Sequence, residues 1–292
     1  MVTDVLIQVL SGVSRGMILF VVASGLTLIF GVLRIANFAH GSFYMIAAFI
    51  TYSVTTVVGS SALGFLAALV VAPLAIALIG AAFEVLLLRR MQLRPHLYHL
   101  ILTFAVTLIV SDGIKIVWGR DYHSVPRPQL LEGSIAILGR PFPSYYVMLI
   151  AVGGVIALAL TQLLERTRFG KTMRAAVSDG EMVGALGIDV PRLQTMVFAL
   201  GAWLAGLGGT LAAPVGSVAI GMDNSIIIES FAVIIIGGVG SVPGALAGAL
   251  LIGIIQALGI MVAPRLAVAF IFLALCSVLL LRPQGLLGRK TS

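Results

Sequence analysis

The sequence predicts an all-α integral membrane protein, a polytopic helical bundle of about 8–10 transmembrane helices with broken or re-entrant segments. Three observations carry that expectation. Hydrophobic residues make up 60% of the 292 and charged residues only 10%, whereas a soluble domain carries about 25% charged residues to face water. The apolar runs are long and unbroken, as helices crossing a core about 30 Å thick require, and they lack the short alternating segments of a barrel. Lysine and arginine gather in a few stretches between those runs, as in cytoplasmic loops. The net charge of +7 would suggest nucleic acid in a soluble protein. Here the basic loops account for it, the lipid bilayer is the expected environment, and no nucleic-acid partner is expected.

The elements follow in order. The first residues, MVTDVLIQVLSG, carry Asp4 and no cation before Arg15. That is unlike the basic start of a cleavable signal, so the first run is read as a retained helix. Spans are expected at 16–33, 37–58, 62–88, 98–118, 144–164, 193–213, 226–242, 244–262 and 265–281. The weakest is 226–242, short and carrying Glu229, and a broken or re-entrant segment is expected there. Arg89, Arg90 and Arg94, then Arg166, Arg168, Lys171, Arg174 and Arg192, then Arg282, Arg289 and Lys290 are separated by even numbers of spans. They therefore share one side, the cytoplasm, with the N-terminus outside, the C-terminus inside and the Gly59-Ser60-Ser61 turn outside. Arg15, Arg120, Arg127, Arg140 and Arg265 fall on the outer side against this rule. With no long linker, residues 1–292 read as one transmembrane domain, whose outer loop 119–143 and inner loop 165–192 are the places for soluble partners.

Several motifs lead nowhere. Gly170-Lys171-Thr172 resembles the end of a phosphate-binding loop, but that motif needs glycine at the position of Glu165. His96 and His99 have no third ligand nearby and suit the headgroup level better than a metal. Cys276 stands alone in an apolar run, where a small buried hydrophobe is expected. Neither a cofactor nor a metal site is expected.

Four segments are informative. Asn37, His40, Gly41 and Ser42 sit at the start of an apolar helix. Polar groups at that depth either line a substrate path or cap the helix, Asn37 accepting backbone N–H bonds, and bond to its neighbours. Gly237, Gly238, Gly240, Pro243 and Gly244 interrupt a helix and free backbone groups that only protein or water can satisfy. That stretch is either a pathway element or a tight turn between spans. Both segments pair an apolar run with a break, an arrangement transporters often repeat in two halves. Glu229 is expected near the outer mouth, facing protein or water. In the inner loop, Ser178 is expected to cap a short helix with Glu181 completing a capping box. Met182, Ala185 and Leu186 would form its apolar face, and Gly187 its end. Such a helix serves either as a docking knob or as a piece lying in the headgroups. Gly244 with Gly248, and Ala202 with Gly206, form small-xxx-small pairs suited to close helix packing.

At these residues the chain resembles the permease subunits of branched-chain amino-acid ABC transporters, the LivH type. The similar segments are GLTLIFGVLRIANFAHGSFYM, RAAVSDGEMVGALGIDVPRLQTMVFALGAWLAGLGGTL, GGVGSVPGALAGALLIG and the tail RPQGLLGR. The resemblance implies an inner-membrane subunit paired with a sister permease as a heterodimer. Two cytoplasmic ATP-binding subunits would drive it by alternating access, and a periplasmic substrate-binding protein would deliver cargo. It also implies that residues 178–188 occupy the coupling-loop position: Gly187 matches, while Asp179-Gly180-Glu181 departs from the usual acidic-alanine-alanine start. The family includes permeases for urea, amides and small carboxylates. An ion-coupled secondary transporter or channel, the reading from another class, would need intramembrane carboxylates, of which Glu229 looks nearly alone.

Overall fold

The computed structural model describes residues 2–59, 61–92, 94–137 and 139–288. Ser60 of the expected outer turn, and Arg289 and Lys290 of the expected basic tail, lie outside the described residues. The helices in chain order are α1 (Val2–Leu33), α2 (Ala39–Val58), α3 (Ala62–Phe83), α4 (His96–Trp118), α5 (Ser144–Arg166), α6 (Arg168–Ser178), α7 (Gly180–Ala185), α8 (Val190–Ala212), α9 (Met222–Gly237), α10 (Val242–Val262) and α11 (Ala267–Leu281). Helix α3 continues through a π-turn, Glu84–Leu88, and a 3-10 turn, Arg89–Met91. Among the described residues, 8 helices, counting α3 with its extension, are long and apolar enough to cross a membrane. The expected span at 226–242 is α9, which begins and ends earlier. It has 16 residues, about 24 Å of rise. Gly238 and Gly240, at φ 101° and 78°, stop it in conformations that side-chain-bearing residues avoid.

Neighbouring helices pack through glycine. Gly12 of α1 lies against Gly253 of α10 and Gly16 against Ala249, so α1 and α10 run antiparallel. Gly248 approaches the Val233 carbonyl of α9, and Gly206 approaches Pro73 and Ile76 of α3. The two small-xxx-small pairs thus serve the α9–α10 and α3–α8 contacts, where small side chains let backbones approach. In α1, 72% of the most apolar stretch is buried, against 11% for the helix ending at Leu281, so α1 is the hub and α11 a peripheral helix. Cys276 on α11 is exposed. The expectation of burial in protein is corrected: an apolar residue of a spanning helix satisfies its preference against lipid equally well.

Short strands decorate the face on which α1 begins, hereafter the N-terminal face. Strand β1 (His123–Ser124) pairs antiparallel with β4 (Ser217–Val218), and β2 (Ser134–Ile137) with β3 (Arg140–Pro143). Three arginines that strain the charge rule have partners there. Arg140 lies 3.0 Å from Asp4, Arg127 stands 5.7 Å over the Tyr146 ring, and Arg15 turns inward to Glu229 at 3.0 Å.

Candidate functional site

Helix α1 ends where Arg34 adopts φ 56° and donates its N–H to the Phe30 carbonyl at 2.9 Å. The chain then turns back into the bundle. His40 Nε2 lies 2.9 Å from the Val22 carbonyl, and α1 runs on from Val22 to Leu33, about 16 Å further. Helix α2 therefore starts deep inside, behind a broken segment at 34–38. Gly41 admits the Asp223 carbonyl of α9. Asn37, His40 and Ser42 are completely buried. Both polar atoms of the Asn37 side chain, His40 Nδ1 and Ser42 Oγ have no hydrogen-bond partner. No side chain caps α2, so Asn37 does not serve as the cap expected under the alternative reading.

The second break joins α9 to α10. Ser241 Oγ accepts the Gly244 N–H at 3.1 Å and caps α10, with Pro243 in its first turn, where a missing N–H costs nothing. The orphan carbonyls ending α9 are taken by the chain's own tail. Leu286 donates to Ile236 at 2.7 Å and Leu287 to Gly237 at 3.0 Å. Gly237 packs on Gly244, and Gly238 on Gly288.

Two cavities flank α1. The first, about 390 Å³, opens toward the N-terminal face between α1, α5, α9 and α10. Arg15 and Glu229 stand in its wall beside Ile18, Leu19, Leu149 and Ile226. The second, about 640 Å³, lies toward the other face, where Arg34, Glu165, Arg174, Gly240, Ser241 and Pro243 line it. Between them residues 20–26 of α1 are buried, with Val22, Ala23 and Leu26 at 0% exposure. Of the residues singled out in the sequence, Gly240 and Pro243 line the second cavity. Asn37, His40, Gly41, Ser42, Gly237 and Gly238 line neither and lie instead in helix-packing contacts and breaks.

The inner-loop helix is shifted by one residue. Ser178 is the last residue of α6, and Asp179 caps α7, its carboxylate accepting the Met182 N–H at 2.9 Å. The Ser178 cap and its capping box are corrected accordingly: Glu181 falls at the second helical position, one short of the box. Residues 168–178 form a helix of their own, capped by Thr167, which takes Ser178 out of the capping position. Gly187, at φ 85°, donates to Gly184 at 2.9 Å while Ile188 donates to Val183 at 3.3 Å. These two bonds are the Schellman pattern that closes a helix. Glu181, Met182, Ala185 and Leu186 are exposed, Met182 at 59% and Leu186 at 74%.

One polar cluster went unread in the sequence. Glu84 is fully buried, and its carboxylate accepts from Arg89 at 3.0 and 3.3 Å and from Thr195 Oγ1 at 2.7 Å. Arg89 also donates to the Pro191 carbonyl at 3.1 Å and to Thr195 Oγ1. The cluster fastens α3 to the first turns of α8, directly after α7. The available signal was a carboxylate in an apolar run with an arginine five residues on, a spacing that only a π-turn brings together. Among the described residues, no group of three or more His, Cys, Asp or Glu is placed to hold a metal ion.

Residues 8–280 match the family described as branched-chain amino acid transport system, permease component. The chain is 28% identical to the high-affinity branched-chain amino acid transport system permease protein BraD of Pseudomonas aeruginosa, over 97% of this chain and 95% of that protein. It is likewise 28% identical to the permease protein LivH of Escherichia coli K12, with the same coverage. It is 26% identical to a probable LivH permease of Methanocaldococcus jannaschii, over 82% of this chain and 76% of the relative. No solved structure matches it. With its apolar spans and a match running almost from end to end, the chain belongs to the family of branched-chain amino acid transport permeases.

Proposed function

We propose that this permease is one membrane subunit of an ATP-binding-cassette importer that carries branched-chain amino acids across the bacterial inner membrane by alternating access. In this reading residues 1–292 form one domain, with the N-terminal face outside. A sister permease completes the pathway, a periplasmic binding protein delivers cargo, and two cytoplasmic ATP-binding subunits supply the energy, since the chain carries no nucleotide motif of its own. The observation that carries the reading is the pair of cavities toward opposite faces of the bundle, separated by the buried stretch 20–26 of α1. A gate of this design admits cargo from one side at a time. Asn37, His40, Gly41, Ser42, Gly237, Gly238, Gly240 and Pro243 belong to the two breaks where α2 and α10 start, and those breaks give the bundle places to bend. Ser178, Asp179, Glu181, Met182, Ala185, Leu186 and Gly187 form the lever on which the ATP-binding subunits press.

Glu84 and Glu229 are each paired with an arginine, which counts against ion coupling at those two carboxylates, while the buried Asp223 keeps one carboxylate oxygen without a partner. The test is uptake of radiolabelled leucine into proteoliposomes. The complete complex with ATP inside and binding protein outside is expected to accumulate leucine, and this chain alone to accumulate none. Uptake by the chain alone, driven by an ion gradient, would overturn the proposal. Competition by urea, amides or short carboxylates rather than by isoleucine and valine would redirect it to another cargo.

A further inference from the structure

We infer that Arg15 and Glu229 form a relay site for zwitterionic amino acids with apolar side chains, in the cavity on the N-terminal face. The inference rests on the importer reading and adds to it the atoms that meet the cargo. Charged groups inside an apolar bundle are costly and almost always face a partner or a water-filled path. Here they do both. Arg15 Nη2 lies 3.0 and 3.3 Å from the two Glu229 oxygens, and Gln256 Nε2 lies 3.4 Å from Glu229 Oε1. The pair also lines a cavity of about 390 Å³, inside the range of roughly 300–1,000 Å³ typical of small-ligand sites.

The exposures are unequal in a useful way: the Arg15 side chain is 47% exposed and Glu229 13%. A guanidinium has five donors in a planar fork, and the contact with Glu229 occupies only part of it. A cargo carboxylate takes the free donors of Arg15, and its ammonium takes a Glu229 oxygen. The apolar side chain lies against Ile18, Leu19, Leu149 and Ile226. When the cavity is empty the two charges neutralise each other, so no isolated charge is left in the bundle. A dicarboxylate would bring its second charge against Glu229, and an uncharged solute would leave the pair with nothing to exchange. The site thus suits net-neutral zwitterions.

The experiment uses the complete complex in proteoliposomes, with leucine as the probe. Replacing both partners at once, Arg15→Met with Glu229→Gln, leaves no unpaired charge and is expected to lower uptake about tenfold or more. The reversed pair, Arg15→Glu with Glu229→Arg, restores an ion pair but presents the charges to a chiral cargo in the wrong order, and uptake is expected to stay low. Undiminished uptake in the neutral variant, or recovery in the reversed one, overturns the inference and assigns the pair to packing alone. In both of those outcomes the wild-type complex still takes up leucine with ATP; absence of that uptake would remove the importer reading as well. A second measurement needs no variant. A diazirine-bearing leucine photolysed on the wild-type complex is expected to label Ile18, Leu149 or Ile226, and excess leucine to suppress the labelling. Adducts confined to other parts of the chain would overturn the inference.

Discussion

Glu84 offers the sharpest energetic test. Its carboxylate has 0% exposure and holds Arg89, whose side chain is 32% exposed, and Thr195. Glu84→Leu deletes the charged acceptor and leaves the guanidinium with only the Pro191 carbonyl and Thr195 Oγ1 as partners. Removing one partner of a buried pair costs about 3–5 kcal/mol. Arg89 retains a route to water at its exposed third, so the lower end applies, about 3 kcal/mol, or on the order of a hundredfold in the unfolding equilibrium. Thr195→Val removes the hydrogen bonds that Thr195 Oγ1 makes with both Glu84 and Arg89 and should cost about 2 kcal/mol. The double replacement Glu84→Leu with Arg89→Met should return close to wild-type stability, because a well-packed apolar pair replaces an ion pair at little net cost. Unfolding by sodium dodecyl sulfate in mixed micelles, followed by tryptophan fluorescence, measures all three. The reasoning is refuted if Glu84→Leu loses less than about 1 kcal/mol, or if the double variant is as unstable as the single one.

Other outcomes follow from the same contacts. Met182→Glu, or proline at that position, should abolish ATP-coupled uptake while membrane insertion, read by fractionation and immunoblotting, stays normal. Asp179→Ala removes the α7 cap, a loss of about 1 kcal/mol; uptake should fall, and a threonine at 179 should restore most of it. Gly209→Val drives a side chain into the Tyr44 carbonyl of α2, and should cost about 1–3 kcal/mol and lower the melting temperature in detergent. Deleting residues 284–292 frees the Ile236 and Gly237 carbonyls and should destabilise the protein by about 2 kcal/mol at about 1 kcal/mol per bond, measured by the same detergent titration.

Long apolar runs made most spans legible, since nothing but lipid explains them. The boundary of α9 was not, because hydropathy continues past Gly237 while the backbone turns at Gly238. Helix α6 was missed as an element: its basic face made residues 168–178 read as loop, and only the Thr167 cap and a single buried side of Gly170 and Met173 mark it. The polar start of α2 was visible as unusual, but residue types alone do not say that His40 meets Val22. The Glu84–Arg89 contact depends on a π-turn, which has no strong sequence signature. Arg15 and Glu229 lie 214 residues apart, so Arg15 reads as a blemish on the charge rule and Glu229 as a carboxylate near the outer mouth, and only the fold joins them. Local chemistry was readable; pairings across the bundle were set by packing.

Accessibility from the two faces, measured in one complex, tests the central claim most directly. In a Cys276→Ser background, Ser11→Cys reports on the cavity at the N-terminal face and Val239→Cys on the other. A membrane-impermeant thiol reagent is applied from the appropriate side, before and after vanadate trapping of the ATP-binding subunits. The account predicts that one labelling rate rises as the other falls. Rates that move together, or that ignore trapping, would contradict it.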